Sequence, residues 1–203
     1  DDQCALAIRN GQTLVQALPG NALMLGEMGI GNTSAASLIL ARLCQIDIAA
    51  CTGAGTGLNN AGVLRKTNIL RQALAAHPEA TAPLDVLAAF GGFEMATMVG
   101  AMLQAAAENR VILVDGFIVT AALMVAARVE PRVLQRCIFA HRSGEPGHQF
   151  MLDALGAKPL LDWGMRLGEG SGAAVAWPLL QSACTVLRDM ASFDSAGVSD
   201  KSA

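Results

Sequence analysis

Apolar residues in this chain recur at two spacings, and the switching between them sketches a fold. Residues 4–18 alternate apolar and polar positions at roughly helical spacing and stop at Pro19-Gly20. Ala22-Leu23-Met24-Leu25 is a short, wholly apolar run and predicts a buried strand. Helical spacing returns up to Arg42, again to about Ala76, over 85–90, and from Gly91-Gly92-Phe93-Glu94 through Glu108. Val111-Ile112-Leu113-Val114 is the clearest strand, apolar throughout as in a sheet covered on both faces. Asp115-Gly116 ends it and residues 117–129 read as an apolar helix. Cys137-Ile138-Phe139-Ala140 and Pro159-Leu160-Leu161 are the remaining strands. A last helix runs from about 172 to 191, with Pro178 tolerable only near its first turns or at a kink, and the small, polar tail after Ser192 is expected to fray.

Strands alternating with helices predict an α/β fold: a three-layer, Rossmann-like parallel sheet with helices on both faces. Polar, glycine-rich turns fall repeatedly at the strand ends, so one composite site is expected at the carboxyl edge of the sheet. No internal repeat or low-complexity linker interrupts the pattern. Of the 203 residues, 53% are hydrophobic and only 15% charged, which suits such a sheet or a chain that buries surface against further protein. A net charge of −3 without a basic block argues against nucleic acid, and the lack of Tyr argues against a base-stacking platform. The longest apolar stretch, 111–129, is broken by Asp115 and Gly116 and is no membrane span. Five scattered cysteines form no Cys-x-x-Cys pair, and Asp1-Asp2-Gln3 carries no signal-peptide pattern, so a reduced, cytoplasmic setting is expected.

The turns carry the candidate chemistry. Gly26-Glu27-Met28-Gly29-Ile30-Gly31-Asn32-Thr33 joins a strand to a helix that Asn32, Thr33 or Ser34 can cap, the usual setting for an anion. Gly29-x-Gly31-x-x-Ser34 partly imitates a dinucleotide fingerprint, with Asp47 near the ribose-acid position, but Glu27 would repel a pyrophosphate, and a single phosphate or a ribose fits better. Gly53-Ala54-Gly55-Thr56-Gly57 precedes a helix from which Lys66 can lean back toward an anion, while Arg65 and Arg71 read as its solvated face. Glu94 is a dipole-favoured acid in a first turn. Asp115 lies where ligands of parallel sheets collect. His141, Glu145 and His148 fit no common zinc spacing, and the preferred reading makes Ser143 and the Gly144 backbone anion donors. In Arg166-Leu167-Gly168-Glu169-Gly170-Ser171-Gly172-Ala173, three glycines bracket one carboxylate ahead of a helix N-terminus. Two readings of Glu169 stand: a base held ionised in an open loop, or a capping acid in a tight turn.

These motifs, with Val114-Asp115-Gly116 and Ser143-x-Glu145-x-Gly147-His148, occur in an order that closely resembles the nicotinate-nucleotide:dimethylbenzimidazole phosphoribosyltransferase family of cobalamin lower-ligand assembly, over essentially the whole chain. The resemblance implies transfer of the phosphoribosyl group of nicotinate mononucleotide to 5,6-dimethylbenzimidazole, giving α-ribazole 5′-phosphate and nicotinate. It implies Glu169 as general base, Glu27 as a second acid near the ribose, Gly29, Gly55, Lys66, Ser143 and Gly144 on the phosphate, and Asp115 close by. No metal or other cofactor is implied, and a homodimer is. Family members are longer and begin with a segment that helps form a small helical domain and part of the base pocket. The chain is therefore expected to be the carboxyl-terminal, α/β catalytic portion, with its last helix packing against that segment. A nicotinamide-dinucleotide-type binding domain and an incomplete fragment that only binds nucleotide are the alternatives.

Overall fold

The computed structural model describes residues 2–55 and 57–197; Thr56 of the second glycine turn, Asp1 and the tail beyond 197 lie outside the described residues. Helix α1 (Asp2–Ala17) leads to strand β1 (Ala22–Met24), and five helices follow: α2 (Thr33–Cys44), α3 (Ile48–Cys51), α4 (Asn60–Ala76), α5 (Pro83–Phe90) and α6 (Phe93–Ala107). Then come β2 (Val111–Val114), α7 (Phe117–Val129), a 3-10 turn (Pro131–Arg136), β3 (Cys137–Phe139), α8 (Pro146–Ala154) and α9 (Ser171–Asp189). The strands form one parallel sheet in the order β1-β2-β3, with Leu23 opposite Ile112 and Leu113 opposite Ile138.

Alternation along β2 divides the molecule into three layers. Ile112 and Val114 face the main core, built chiefly by α2, α6 and α7, where every residue from Phe117 to Ala127 is buried. Val111 and Leu113 face the other way, onto Ala173, Ala176, Trp177 and Leu180 of α9. This is the expected α/β architecture, but its two outer layers are unequal. From Gln181 onward every described residue is exposed, so only the first half of α9 covers the sheet.

The strand expected at 159–161 is reduced to a single bridge between His141 and Leu161, supported by Leu160 N–H donating to Phe139 O at 2.9 Å and Leu161 N–H to Ala140 O at 3.0 Å. Pro159 has no N–H to extend the ladder, and Gly156 and Gly164 turn the chain away on either side with positive φ. The short α3, begun by the Asp47 carboxylate accepting from Ala49 N–H, had no counterpart in the apolar pattern. That contact also settles Asp47, a cap on α3 and not a ribose acid.

Candidate active site

Each parallel strand hands its first polar residue to one cleft at the carboxyl edge of the sheet. Glu27 follows β1, Asp115 follows β2 and His141 follows β3, and all three line a cavity of about 560 Å³ together with Gly29, Thr33, Gly55, Ser143, Glu145, Arg166 and Glu169.

In the first turn the Glu27 carboxylate accepts from Gly29 N–H at 2.6 Å and from the Asn32 amide, which also reaches Glu94 at 3.4 Å. Asn32 therefore ties two acids together and does not cap α2 through its side chain. With the Gly29 N–H already given to a carboxylate, the turn is a poor pyrophosphate cradle, which removes the physical basis of the dinucleotide reading.

Thr33, at the start of α2, faces the second glycine turn. Lys66 leans back from α4 as its spacing suggested, with Nζ donating to Thr33 Oγ1 at 2.9 Å and to Gly53 O at 3.4 Å. Burial lowers the Lys66 pKa and the Glu145 carboxylate opposes that shift. Lys66 stands behind the cleft wall: a Cβ built on Gly55 would lie 3.7 Å from Nζ and 3.1 Å from Thr33 Oγ1, so Gly55 leaves open the space over both groups. A phosphate settling there would meet one ammonium, one hydroxyl and the first turn of a helix.

Asp115 is only 3% exposed, and its Oδ1 accepts from Ala173 N–H at 2.9 Å, so it caps α9 from the end of β2. His141 Nε2 stands 3.9 Å from the same oxygen, and neither ring nitrogen of His141 has a hydrogen-bond partner among the described residues. A Cβ on Gly172 would overlap the His141 ring, and glycine there lets α9 begin directly against the imidazole.

In the 141–148 turn, Ser143 N–H donates to His148 Nδ1 at 2.8 Å and Gly144 N–H to Met165 O at 3.0 Å. Neither amide is free for an anion in this arrangement. The Ser143 hydroxyl accepts from Glu145 N–H at 3.3 Å and keeps its own hydrogen to donate into the cleft. His148 Nε2 pairs with Thr120 Oγ1 at 2.9 Å, so both its nitrogens are committed within the protein. Burial, with smaller contributions from His141 and Arg142, pushes its pKa down to about 3. The sign follows from linkage. The unfolded chain takes up a proton near pH 6.5 and the folded one does not, so this contribution is whole above pH 6.5 and falls as the medium is acidified. Unfolding free energies from urea titrations between pH 6.5 and 5 should decline at up to about 1.4 kcal/mol per pH unit. His148→Gln should flatten that slope, and an equal slope in the variant would assign it to another group.

The loop before α9 carries Glu169 in a left-handed conformation (φ 60°) between Gly168 (φ 80°) and Gly170 (φ 77°). A Cβ on Gly26 would come within 2.6 Å of the Glu169 carbonyl, so the turn after β1 and this loop meet backbone to backbone. Gly170 is the N-cap of α9 with no side-chain cap, and the Glu169 carboxylate makes no hydrogen bond among the described residues. Asp115 does the capping, and Glu169 is left exposed on the rim of the cleft.

Seven of the eight site residues expected from the sequence thus line the cleft or the cradle beside it; Gly144 lies outside the lining, bonded to Met165. Arg166 and His141 were missed, although both stand inside motifs that sequence reading had singled out.

The ends of the parallel strands thus join an open recess beside an ammonium and a hydroxyl to an exposed carboxylate, and the family model described as phosphoribosyltransferase matches residues 1–198. A relative from Variovorax paradoxus is 64% identical over 200 residues, which cover 98% of this chain and 57% of that protein. One from Ralstonia nicotianae is 59% identical over 184 residues, covering 91% of this chain and 52% of that protein. Both are named nicotinate-nucleotide–dimethylbenzimidazole phosphoribosyltransferase. The crystal structure of CobT from Thermus thermophilus is similar with a TM-score of 0.91 at 38% identity, over 97% of this chain and 60% of that one. The chain belongs to the nicotinate-nucleotide–dimethylbenzimidazole phosphoribosyltransferase family. It spans little more than half the length of the relatives it matches.

Proposed function

We propose that the protein to which this chain belongs moves the phosphoribosyl group of nicotinate mononucleotide onto 5,6-dimethylbenzimidazole. The observation that carries the reading is the meeting, in one cleft, of an unpaired carboxylate (Glu169) with an anion cradle built from Thr33, Gly55 and Lys66. Nicotinate leaves as a neutral pyridine ring from a pyridinium, so the anomeric carbon needs little activation by the protein. The C–N bond to nicotinate breaks as a benzimidazole nitrogen bonds to the same carbon from the opposite face, which turns the β-nucleotide into an α-product. The other ring N–H becomes acidic as positive charge builds on the azole, and Glu169 accepts that proton. Lys66 and the Ser143 hydroxyl hold the 5′-phosphate; the ribose lies toward Glu27 and Asp115. Orientation supplies most of the rate, and the protein's own groups complete the proton transfer.

In the same proposal the protein works as a homodimer in the cytoplasm, and the exposed outer half of α9, with Val186 and Leu187, packs against further protein together with Met190 just beyond it. No helix among the described residues is long and apolar enough to cross a membrane. The test is incubation with nicotinate mononucleotide and dimethylbenzimidazole, using this chain and a full-length version. α-Ribazole phosphate from the full-length protein is the expected product. Nucleotide binding without transfer in that protein would leave only a nucleotide-binding role.

A further inference from the structure

We propose that Arg166 is a second phosphate-binding cation of the cleft, and that it couples recognition of the phosphate to the setting of the Glu169 loop. This rests on the phosphoribosyl reading for the identity of the ligand, but not for the existence of an anion site.

Charge is the first argument. The cleft is lined by four carboxylates, Glu27, Asp115, Glu145 and Glu169, and Arg166 is its only lysine or arginine among the described residues. Lys66 stands behind the wall with its pKa lowered by burial. One partly desolvated ammonium is little to set against four acids and an incoming dianion, so a second, permanent cation at the mouth changes the balance.

Geometry supplies the second. Arg166 Nη2 crosses from its own loop to the glycine turn opposite and donates to Gly55 O at 2.6 Å, beside the open space over Lys66 and Thr33. The same nitrogen stands 3.9 Å from Glu145 Oε1. Among the described residues these are the guanidinium's only polar contacts, and most of its five N–H groups have no protein acceptor. Glu145 is nearly buried, its other oxygen has no hydrogen-bond partner, and it also faces Lys66. A carboxylate held at that cost between two cations steadies both while leaving their outer faces to a ligand.

The loop makes the coupling. Arg166 is three residues before Glu169, Met165 O holds the 143–145 turn through Gly144 N–H, and Asp115 fixes the far end at Ala173. A phosphate that engages the free N–H groups of Arg166 while Nη2 keeps Gly55 O would clamp the loop across the cleft, with Glu169 on the clamped segment. Arg166 would then be a specificity and positioning residue that reads the 5′-phosphate.

Calorimetric titration of the full-length protein with ribose 5-phosphate, alongside turnover of nicotinate mononucleotide and of its phosphate-free riboside, tests this. Arg166→Met keeps the aliphatic stem at a site more than half exposed and should leave the melting temperature unchanged. It should weaken ribose 5-phosphate at least about 10-fold, the usual loss for a charge-assisted contact, and lower kcat for the nucleotide as well as raise its KM. Riboside turnover should fall far less than nucleotide turnover, and Arg166→Lys should restore part of the binding and less of kcat. Equal losses with nucleotide and riboside would make Arg166 a shaper of the loop alone and overturn the proposal. So would unchanged ribose 5-phosphate affinity in Arg166→Met, or a wild-type protein that binds no ribose 5-phosphate. Whether the wild type forms α-ribazole phosphate judges the transfer reading separately.

Discussion

Glu169→Gln should fold and bind nucleotide like the wild type in a full-length background, yet turn over roughly 10²–10⁴-fold more slowly. Glutamine keeps the size and can sit in the same left-handed turn between Gly168 and Gly170, but it cannot accept the azole proton. The competing view, that Glu169 is a cap, makes the opposite forecast: nearly normal turnover with about 1 kcal/mol of lost stability. The geometry favours the first outcome. The N-cap of α9 is Gly170, and the capping hydrogen bond comes from Asp115 through Ala173 N–H, so the Glu169 carboxylate holds no structural contact that the amide would lose. The pH–rate profile sharpens the test, because the limb owed to this carboxylate should vanish while any limb owed to the azole remains. A variant with near-normal kcat and a lowered melting point would end the catalytic assignment and turn attention to Glu27.

The largest expected loss of stability is far from the cleft. Helices α1 and α6 cross at two glycines, and a Cβ on Gly100 would overlap the Ile8 carbonyl, as one on Gly11 would overlap that of Thr97. Gly100→Ala gains up to about 1 kcal/mol in helix propensity. Against this, the obstacle is backbone and cannot swing aside as a side chain would. α1 must lift, loosening Ala7 and Val15 from the core, and overpacking of this kind costs about 1–3 kcal/mol or more. The clash wins, and a net loss of about 2 kcal/mol is expected from the urea midpoint at constant m value. Gly62→Ala is the control: its Cβ would meet the Leu58 side chain at 3.2 Å and Asn59 Oδ1 at 3.3 Å, and that variant should be neutral or slightly stabilised. Equal midpoints for the two variants would mean that the close helix crossing has slack.

What could be read from the residues was whatever they express locally. Val111–Val114 is apolar at every position because both faces of its sheet are covered, and it is a strand. The glycine turns announced themselves by composition, and Lys66 by its distance along α4 from the turn it reaches back to. Contacts between distant parts of the chain were not legible. The bond from Ala173 to Asp115 spans 58 residues and that from Arg166 to Gly55 spans 111, and nothing near either partner specifies the other. The base-or-cap ambiguity at Glu169 had the same origin: the residue that caps α9 comes from another strand. Amide bookkeeping was invisible for a related reason, since Ser143 and Gly144 look like anion donors until His148 and Met165 are seen to accept from them.

Pro178 sits inside α9, where it brings no N–H and leaves the carbonyl of Ala174 without its donor four residues on. The break falls just before the last sheet contact, Leu180: ahead of it Ala173 and Ala176 lock the helix to the sheet, and from Gln181 onward the described helix is exposed. Opening of the helix is therefore partitioned. In this chain the turns beyond Leu180 can unwind and rewind as a separate cooperative unit, exchanging their amide hydrogens quickly, without passing that motion to the anchored turns that begin at Ser171, just past Glu169.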